Sequence, residues 1–154
     1  LLALFRDTVR RVNCRDYSPN EIGAWASDKI DPVAWADRFD GRIAFVAEAG
    51  DSLVGFIDVE SNGHIDRLYV SADHQRLGIA TALLSTALAA GVRSGISYFF
   101  TESSITAKSV LESAGFVVIE RQTVVHRGVD FVNFSMEYDM PPGCARVSRP
   151  GARA

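Results

Sequence analysis

The stretch Ile65-Asp66-Arg67-Leu68-Tyr69-Val70-Ser71-Ala72-Asp73-His74-Gln75-Arg76-Leu77-Gly78-Ile79-Ala80-Thr81-Ala82-Leu83-Leu84 decides the fold. Its opening is short and rich in β-branched and aromatic residues, which reads as a strand; Asp73, His74, Gln75 and Arg76 make a polar loop; the alanine-rich run that follows reads as a helix. Gly78 and Ala80 are small enough to let a ligand approach the backbone. The first N–H groups of a helix lack partners within it and sit at the positive end of its dipole, so they suit anionic oxygens. The bland reading is a tight strand-to-helix connection in which Gly78 only permits packing.

Working outward, residues 1–13 carry Leu1, Leu4, Phe5 and Val9 at helical spacing. Ser18, Pro19 and Glu21 form a helix start with a capping box, followed by Ile22, Trp25 and Ala26. Asp31-Pro32 repeats the signal for a short helix bearing Val33, Trp35, Ala36 and Phe39. Residues 42–48, 53–60 and 64–70 read as an antiparallel meander turned at Ala49-Gly50-Asp51 and Asn62-Gly63.

Beyond the helix at 78–90, Gly91 and Gly95 bracket a loop. Residues 97–101 then read as a short buried strand with Tyr98, Phe99 and Phe100 filling both faces. Ser104 is the expected N-cap of a helix to Ala114, with Gly115 its left-handed stop. Residues 116–125 and 130–138 form a hairpin around Arg127-Gly128. The reading gives one α/β domain of the α+β type at 1–140, with a mainly antiparallel mixed sheet flanked by helices. Residues 141–154, rich in Pro, Gly, Arg and Ala without apolar periodicity, are expected to be a disordered tail.

A chain of 154 residues suffices for one buried core. Apolar content of 47% with 23% charged residues is ordinary for a soluble domain, and a net charge of −3 gives no overall basic footprint for nucleic acid. The apolar run 79–92 is too short to span a bilayer and is interrupted by Thr81, Ser85 and Thr86, so no membrane association is expected. No signal-peptide layout opens the chain. Cys14 and Cys144 stand in no metal or redox spacing, and His64, His74 and His126 are scattered, so a reduced cytoplasmic protein without a metal site is expected.

The spacing Gln75-x-x-Gly78-x-Ala80, with Leu68-x-Val70 before it and Ala82-Leu83-Leu84 after it, resembles the acetyl-CoA pyrophosphate loop of the GNAT N-acetyltransferase superfamily, (Arg/Gln)-x-x-Gly-x-(Gly/Ala). A second unit ending in Gly115-Phe116 extends the resemblance over residues 42–138. The resemblance implies a pair of parallel strands that splay apart around the pantetheine arm, here residues 64–70 and 97–101. It implies contacts from the backbone of Leu68, Tyr69 and Val70 to the pantetheine, and a pyrophosphate held by Gln75, Arg76, Leu77, Gly78, Ile79, Ala80 and Thr81. Members normally place a strand before the first helix, so a first edge strand is expected to be missing from this chain. A homodimer is a further implication, and the acetyl-CoA is a co-substrate.

Ser104 and Ala107 match the Asn and Ala of the family's Asn-x-x-Ala-x-x-x-Tyr-x-x-x-Gly-Phe unit, which implies that Ser104 bonds the cofactor arm. Leu111 occupies the position where many members carry a Tyr that protonates the leaving thiolate. Leucine donates no proton. Tyr98 and Ser109 are weak substitutes, and Tyr98 has a core role as its plainer explanation.

Acetyl transfer to an amine needs the nitrogen unprotonated, so a base is expected among Glu60, His64, Asp66 and Glu102. Asp66 and Glu102 rank first, Asp66 on the strand facing the thioester and Glu102 at the exit of the splayed partner. The alternatives are an ion pair for Asp66, a loop position for Glu102 and a solvated turn for His64. Trp25 and Trp35 either line an aromatic acceptor pocket or pack a core, and Asp28, Asp31 and Asp37 either attract a cationic amine or cap helices. The leading expectation is direct acetyl transfer from acetyl-CoA to a small-molecule or peptide amine in a ternary complex. The contrasting one, motivated by Leu111, is a non-catalytic acyl-CoA-binding or regulatory module.

Overall fold

The structure, a computed structural model, describes residues 1–138, so the expected tail at 141–154 lies outside the described residues. Helix α1 (Leu2–Arg11) buries Phe5, Thr8 and Val9 and ends in a 3-10 turn at Asn13–Arg15. Helix α2 (Pro19–Trp25) begins with the expected capping box: the Ser18 hydroxyl accepts from the Glu21 N–H, and the Glu21 carboxylate accepts from the Ser18 N–H. Helix α3 (Pro32–Asp37) is capped by the Asp31 carboxylate, which accepts from the Val33 N–H at 3.0 Å.

Strands β1 (Ile43–Ala49), β2 (Ser52–Val59) and β3 (Ile65–Val70) form the expected antiparallel meander, in the order β1-β2-β3. Helix α4 (Ile79–Arg93) packs on one face of it through Leu83, Leu84, Ala87 and Leu88, joining Ile57, Val59, Ile65 and Phe99 in one buried cluster. Helices α1 to α3 cover the opposite face with an aromatic cluster of Phe5, Tyr17, Trp35, Phe56 and Phe131. Each face of the meander thus has its own core.

The other half is a second three-stranded sheet in the order β4-β6-β5, built from β4 (Phe100–Ser104), β5 (Phe116–His126) and β6 (Val129–Tyr138). Left-handed Arg127 (φ 51°) and Gly128 (φ 75°) form the β5-β6 turn, as hairpins of right-handed twist require. The two sheets meet at one parallel bridge, His64 to Phe100, where the Phe100 N–H donates to the Gly63 carbonyl at 3.2 Å and the Thr101 hydroxyl donates to the Ile65 carbonyl at 2.8 Å. Past that bridge β3 and β4 diverge.

Two expected boundaries are corrected. The strand expected at 97–101 is observed at Phe100–Ser104, because α4 continues through Gly91 to Arg93 and the chain crosses beneath it with Phe99 fully buried. A Cβ at Gly91 would stand 2.7 Å from the Phe99 ring, so Gly91 is the contact point that lets this crossing pass rather than the start of a loop. Ser104 does not cap a helix directly: its backbone stays paired with Asn133 of β6, and α5 (Lys108–Ser113) starts only after a turn in which the Ser104 hydroxyl accepts from the Ala107 N–H at 3.1 Å. Gly115 (φ 100°) ends α5 as expected.

Candidate active site

The gap between β3 and β4 is a cavity of about 150 Å³, lined on one side by Leu68, Val70, Gln75 and Ala80 and on the other by Thr101, Ser103, Ala107 and Leu111. The Ser71 N–H donates to the Val54 carbonyl of β2 at 2.8 Å. Antiparallel ladders alternate their bonding direction, so the backbone groups of Leu68 and Val70 point away from β2 and into the gap. The Val70 carbonyl is already taken by the Thr8 hydroxyl at 3.1 Å and the Gln75 amide at 2.6 Å. Leu68 therefore offers a carbonyl and an N–H to an extended ligand, whereas Val70 offers its N–H.

The loop after β3 is held in shape by its own residues. The Gln75 side-chain amide donates to the Val70 and Ser71 carbonyls at 2.6 and 3.0 Å, which braces the loop instead of leaving that side chain free. Arg76 (φ 60°) and Gly78 (φ 78°) are both left-handed, two residues apart, the alternation that turns successive N–H groups toward one concavity. A Cβ at Gly78 would meet nothing within 4 Å, so glycine is needed there for its dihedral angle and not for close packing. Gly78 supplies no side-chain cap to α4, which leaves the N–H groups of Ile79, Ala80 and Thr81 pointing at the loop mouth, beside exposed Arg76 and Leu77.

A second cavity, of about 550 Å³, opens on the far side of β3 under α2 and α3. The two share Trp25, Asp66, Tyr69, Glu102 and Ser104. Glu102 and Ser104 alternate with Ser103 on β4 and pair with Ser135 and Asn133 of β6, so they project to one face with Asn133 and Phe131. Two buried polar atoms without partners, Arg67 Nη1 and Asn133 Oδ1, belong to residues that line this larger cavity.

Three of the four candidate bases fall into two different environments. Asp66 Oδ2 accepts from Arg38 at 2.7 Å and from Arg42 at 2.6 Å, inside a network in which Arg42 also binds Asp58 and Glu60 and Arg67 grips Asp58 with two bonds of 2.8 and 2.9 Å. Burial alone would raise the Asp66 carboxyl, but the Arg42 hydrogen bond and the charges of Arg38, Arg67 and Arg42 outweigh it and hold the group below its ordinary value. A carboxylate so stabilised is a weak base.

His64 and Glu102 form the other environment, with Nε2 and Oε2 2.6 Å apart. The hydrogen bond to Glu102 is the largest influence on His64 and raises its pKa against the opposing effect of burial; the same bond lowers that of Glu102. The imidazole stacks on Phe100 at 5.0 Å, and Phe100 in turn stacks on Tyr98 at 5.6 Å. Glu60 Oε2 lies 3.6 Å from His64 Nδ1. Tyr98 is thus part of a stack behind His64 and lines neither cavity, and Leu111 is buried against the smaller one.

The sequence reading named His64 and Glu102 singly and missed their pairing, which depends on the β3-β4 bridge bringing positions 38 residues apart into contact. It also missed Arg38, Arg42, Lys29 and Arg127. The Arg67-Asp58 pair was accessible in principle, since both lie at matching register in adjacent strands of a meander. Among the described residues no group of three or more His, Cys, Asp or Glu is placed to hold a metal ion, and no helix is long and apolar enough to cross a membrane.

Residues 13–138 match the family model for the acetyltransferase (GNAT) domain. The chain is 35% identical over 138 residues to the uncharacterized N-acetyltransferase YafP of Escherichia coli (strain K12), covering 90% of this chain and 87% of that one. The crystal structure of a GCN5-related N-acetyltransferase from Rhodopseudomonas palustris superposes with a TM-score of 0.85 at 27% identity, covering 90% of this chain and 87% of its own. PaiA N-acetyltransferase from Thermoplasma acidophilum, solved in complex with coenzyme A, shares the fold at a TM-score of 0.68 and 18% identity, covering 90% of each chain. The family model matching residues 13–138 and the 35% identical relative over most of the chain, on a fold whose sheet splits beside a free helix N-terminus, make this protein an acyltransferase of the GNAT acetyltransferase family.

Proposed function

We propose that this chain moves an acetyl group from acetyl-CoA to an amine by direct attack in a ternary complex, with Glu102 and His64 managing the proton. The observation that carries the reading is the junction of the two cavities at Glu102, with His64 bonded behind it. The smaller cavity suits the pantetheine arm, the loop and the first turn of α4 suit the pyrophosphate, and the larger cavity suits the acceptor. Leu68 and Val70 would bind the arm through backbone groups, while Arg76 adds positive charge near the phosphates.

Acetyl-CoA supplies a thioester carbonyl carbon as electrophile and a thiolate as leaving group. A primary amine arrives chiefly as its ammonium ion, with a pKa near ~10. The Glu102 carboxylate accepts a hydrogen bond from that ion, and the proton is passed through water to neutral His64 at Nδ1, the ring nitrogen left free while Nε2–H donates to Glu102. The nitrogen lone pair is then free to attack. Because the ordinary imidazole value is raised toward the working pH, His64 is better matched to this task than Asp66, which its arginines hold as a stable anion. With Leu111 in place of a tyrosine, α5 brings no acid to the thiolate, whose ordinary thiol pKa of about 8.5 lets it leave unprotonated; the second proton, shed by the nitrogen as the amide forms, reaches it through water.

The cofactor half is tested by titration calorimetry with acetyl-CoA on the full chain. Wild type is expected to bind, and Gly78→Ala to bind about tenfold more weakly, because a residue with a Cβ at φ 78° costs ~1–2 kcal/mol and pulls the loop away from its concave shape. Absence of binding by wild type would refute the assignment of the loop.

A further inference from the structure

The outer wall of the larger cavity carries charge that the protein does not balance. Lys29, Arg38, Arg67 and Arg127 line it, against Asp31, Asp66 and Glu102. Arg38 is engaged by Asp66, and Arg67 by Asp58. Lys29 and Arg127 form no ion pair among the described residues, and both are exposed at the mouth, Lys29 between α2 and α3 and Arg127 in the β5-β6 turn. Arg127 donates to the Ala24 carbonyl at 3.2 Å, which fixes the turn against α2 and holds its charge at the cavity rim.

The other charged groups at this rim leave it positive. The Asp31 carboxylate is turned to its capping bond with Val33. His126, beside Arg127, is held below its ordinary pKa first by burial and then by the Arg127 charge, so at neutral pH its imidazole is uncharged and neither adds to these cations nor offsets them. At the inner end stand the carboxylates of Asp66 and Glu102, and between the two ends the wall is aromatic, made by Tyr17, Trp25, Trp35 and Phe131. The unpartnered Arg67 Nη1 and Asn133 Oδ1 are further polar capacity along this wall that no protein group uses.

We propose that the acceptor is an amphoteric amine whose nitrogen sits at Glu102, whose apolar or aromatic body lies along the tryptophan-lined wall, and whose carboxylate is held by Lys29 and Arg127. The inference rests on assigning the larger cavity to the acceptor. A purely cationic polyamine would set like charges against Lys29 and Arg127, which disfavours it at the mouth while Glu102 welcomes it inside.

The test compares 4-(aminomethyl)benzoate with benzylamine, which share the amine and the ring and differ in the carboxylate. Binding to the full chain is read by tryptophan fluorescence, since Trp25 and Trp35 both line the cavity. The carboxylate ligand is expected to bind about tenfold more tightly, as two partly exposed charge pairs would give, with the advantage shrinking as salt is added. In the double variant Lys29→Gln/Arg127→Gln the difference between the two ligands is expected to vanish. Equal Kd values in wild type, or a difference that survives in the double variant, overturns the inference. Thiol release absent for both ligands, with the Kd difference intact, counts against the transfer reading alone and supports the charge reading.

Discussion

Glu102→Gln is expected to lower kcat for amine acetylation by roughly 10²–10⁴-fold, the usual worth of a positioned acid-base group, while leaving acetyl-CoA binding within about twofold. The amide keeps the size of the side chain at the junction of the two cavities but does not attract an ammonium ion. The substitution also removes the hydrogen bond that raises His64. The sign follows from the need for a neutral imidazole: the rate is full above the His64 pKa and is lost as pH falls through it. In wild type the acid limb of kcat/KM therefore stands above the ordinary imidazole value of 6.5. In the variant the remaining rate should lose its acid limb at lower pH, closer to 6.5. A full pH-rate profile for both proteins checks this, and an unmoved limb with kcat unchanged would remove the pair from the mechanism.

Gly63→Ala is expected to destabilise the fold by about 3–4 kcal/mol, read as a fall in Tm of roughly 10 °C. Gly63 has φ 91°, where a side chain is strained, and its Cβ would collide with the Tyr98 carbonyl oxygen. The Gly63 carbonyl also receives the Phe100 N–H at the bridge between the two sheets. Relief of the collision has to push β3 and β4 apart at the point from which they splay. His64 follows Gly63 directly, so the variant should lose activity beyond what its reduced stability explains at low temperature. Thermal unfolding by circular dichroism, with activity measured well below Tm, separates the two effects.

The readable parts of the sequence were those set by local chemistry. Ser18 and Glu21 announced α2, Asp31 announced α3, Gly78 by its small size marked a helix start and Gly115 by its dihedral freedom a helix stop, and the alternating strands gave the meander. The second sheet was less legible because its strand β4 is written in polar letters. Glu102, Ser103 and Ser104 have no strong strand preference, and pairing with β6 decides their conformation. Phe99 and Tyr98 look more like a strand yet are drawn under α4 and into the aromatic stack.

The same division holds for the candidate site. A loop that binds anions through its backbone leaves its mark in glycine and small residues, so the region 75–81 could be read from one short stretch. Proton chemistry needs side chains from distant strands. Asp66 looked as suitable as Glu102 until Arg38 and Arg42 were found on it, from the end of α3 and the entry to β1. His64 read equally as a base and as a solvated turn residue until the bridge to Phe100 placed it against Glu102. The cations at the cavity mouth come from two loops about a hundred residues apart, brought together by Arg127 reaching the Ala24 carbonyl and by Trp25 packing on Phe131.

The central claim, direct transfer from acetyl-CoA to an amine in one ternary complex, is tested most directly by initial velocities of thiol release at varied acetyl-CoA and varied primary amine. The account predicts amine-dependent release, an N-acetylated product in equal amount, and double-reciprocal lines that intersect, because both substrates must occupy the joined cavities before the acetyl group moves. Parallel lines would mean an acetylated enzyme intermediate, and release without amine dependence would mean hydrolysis. Either result would contradict it.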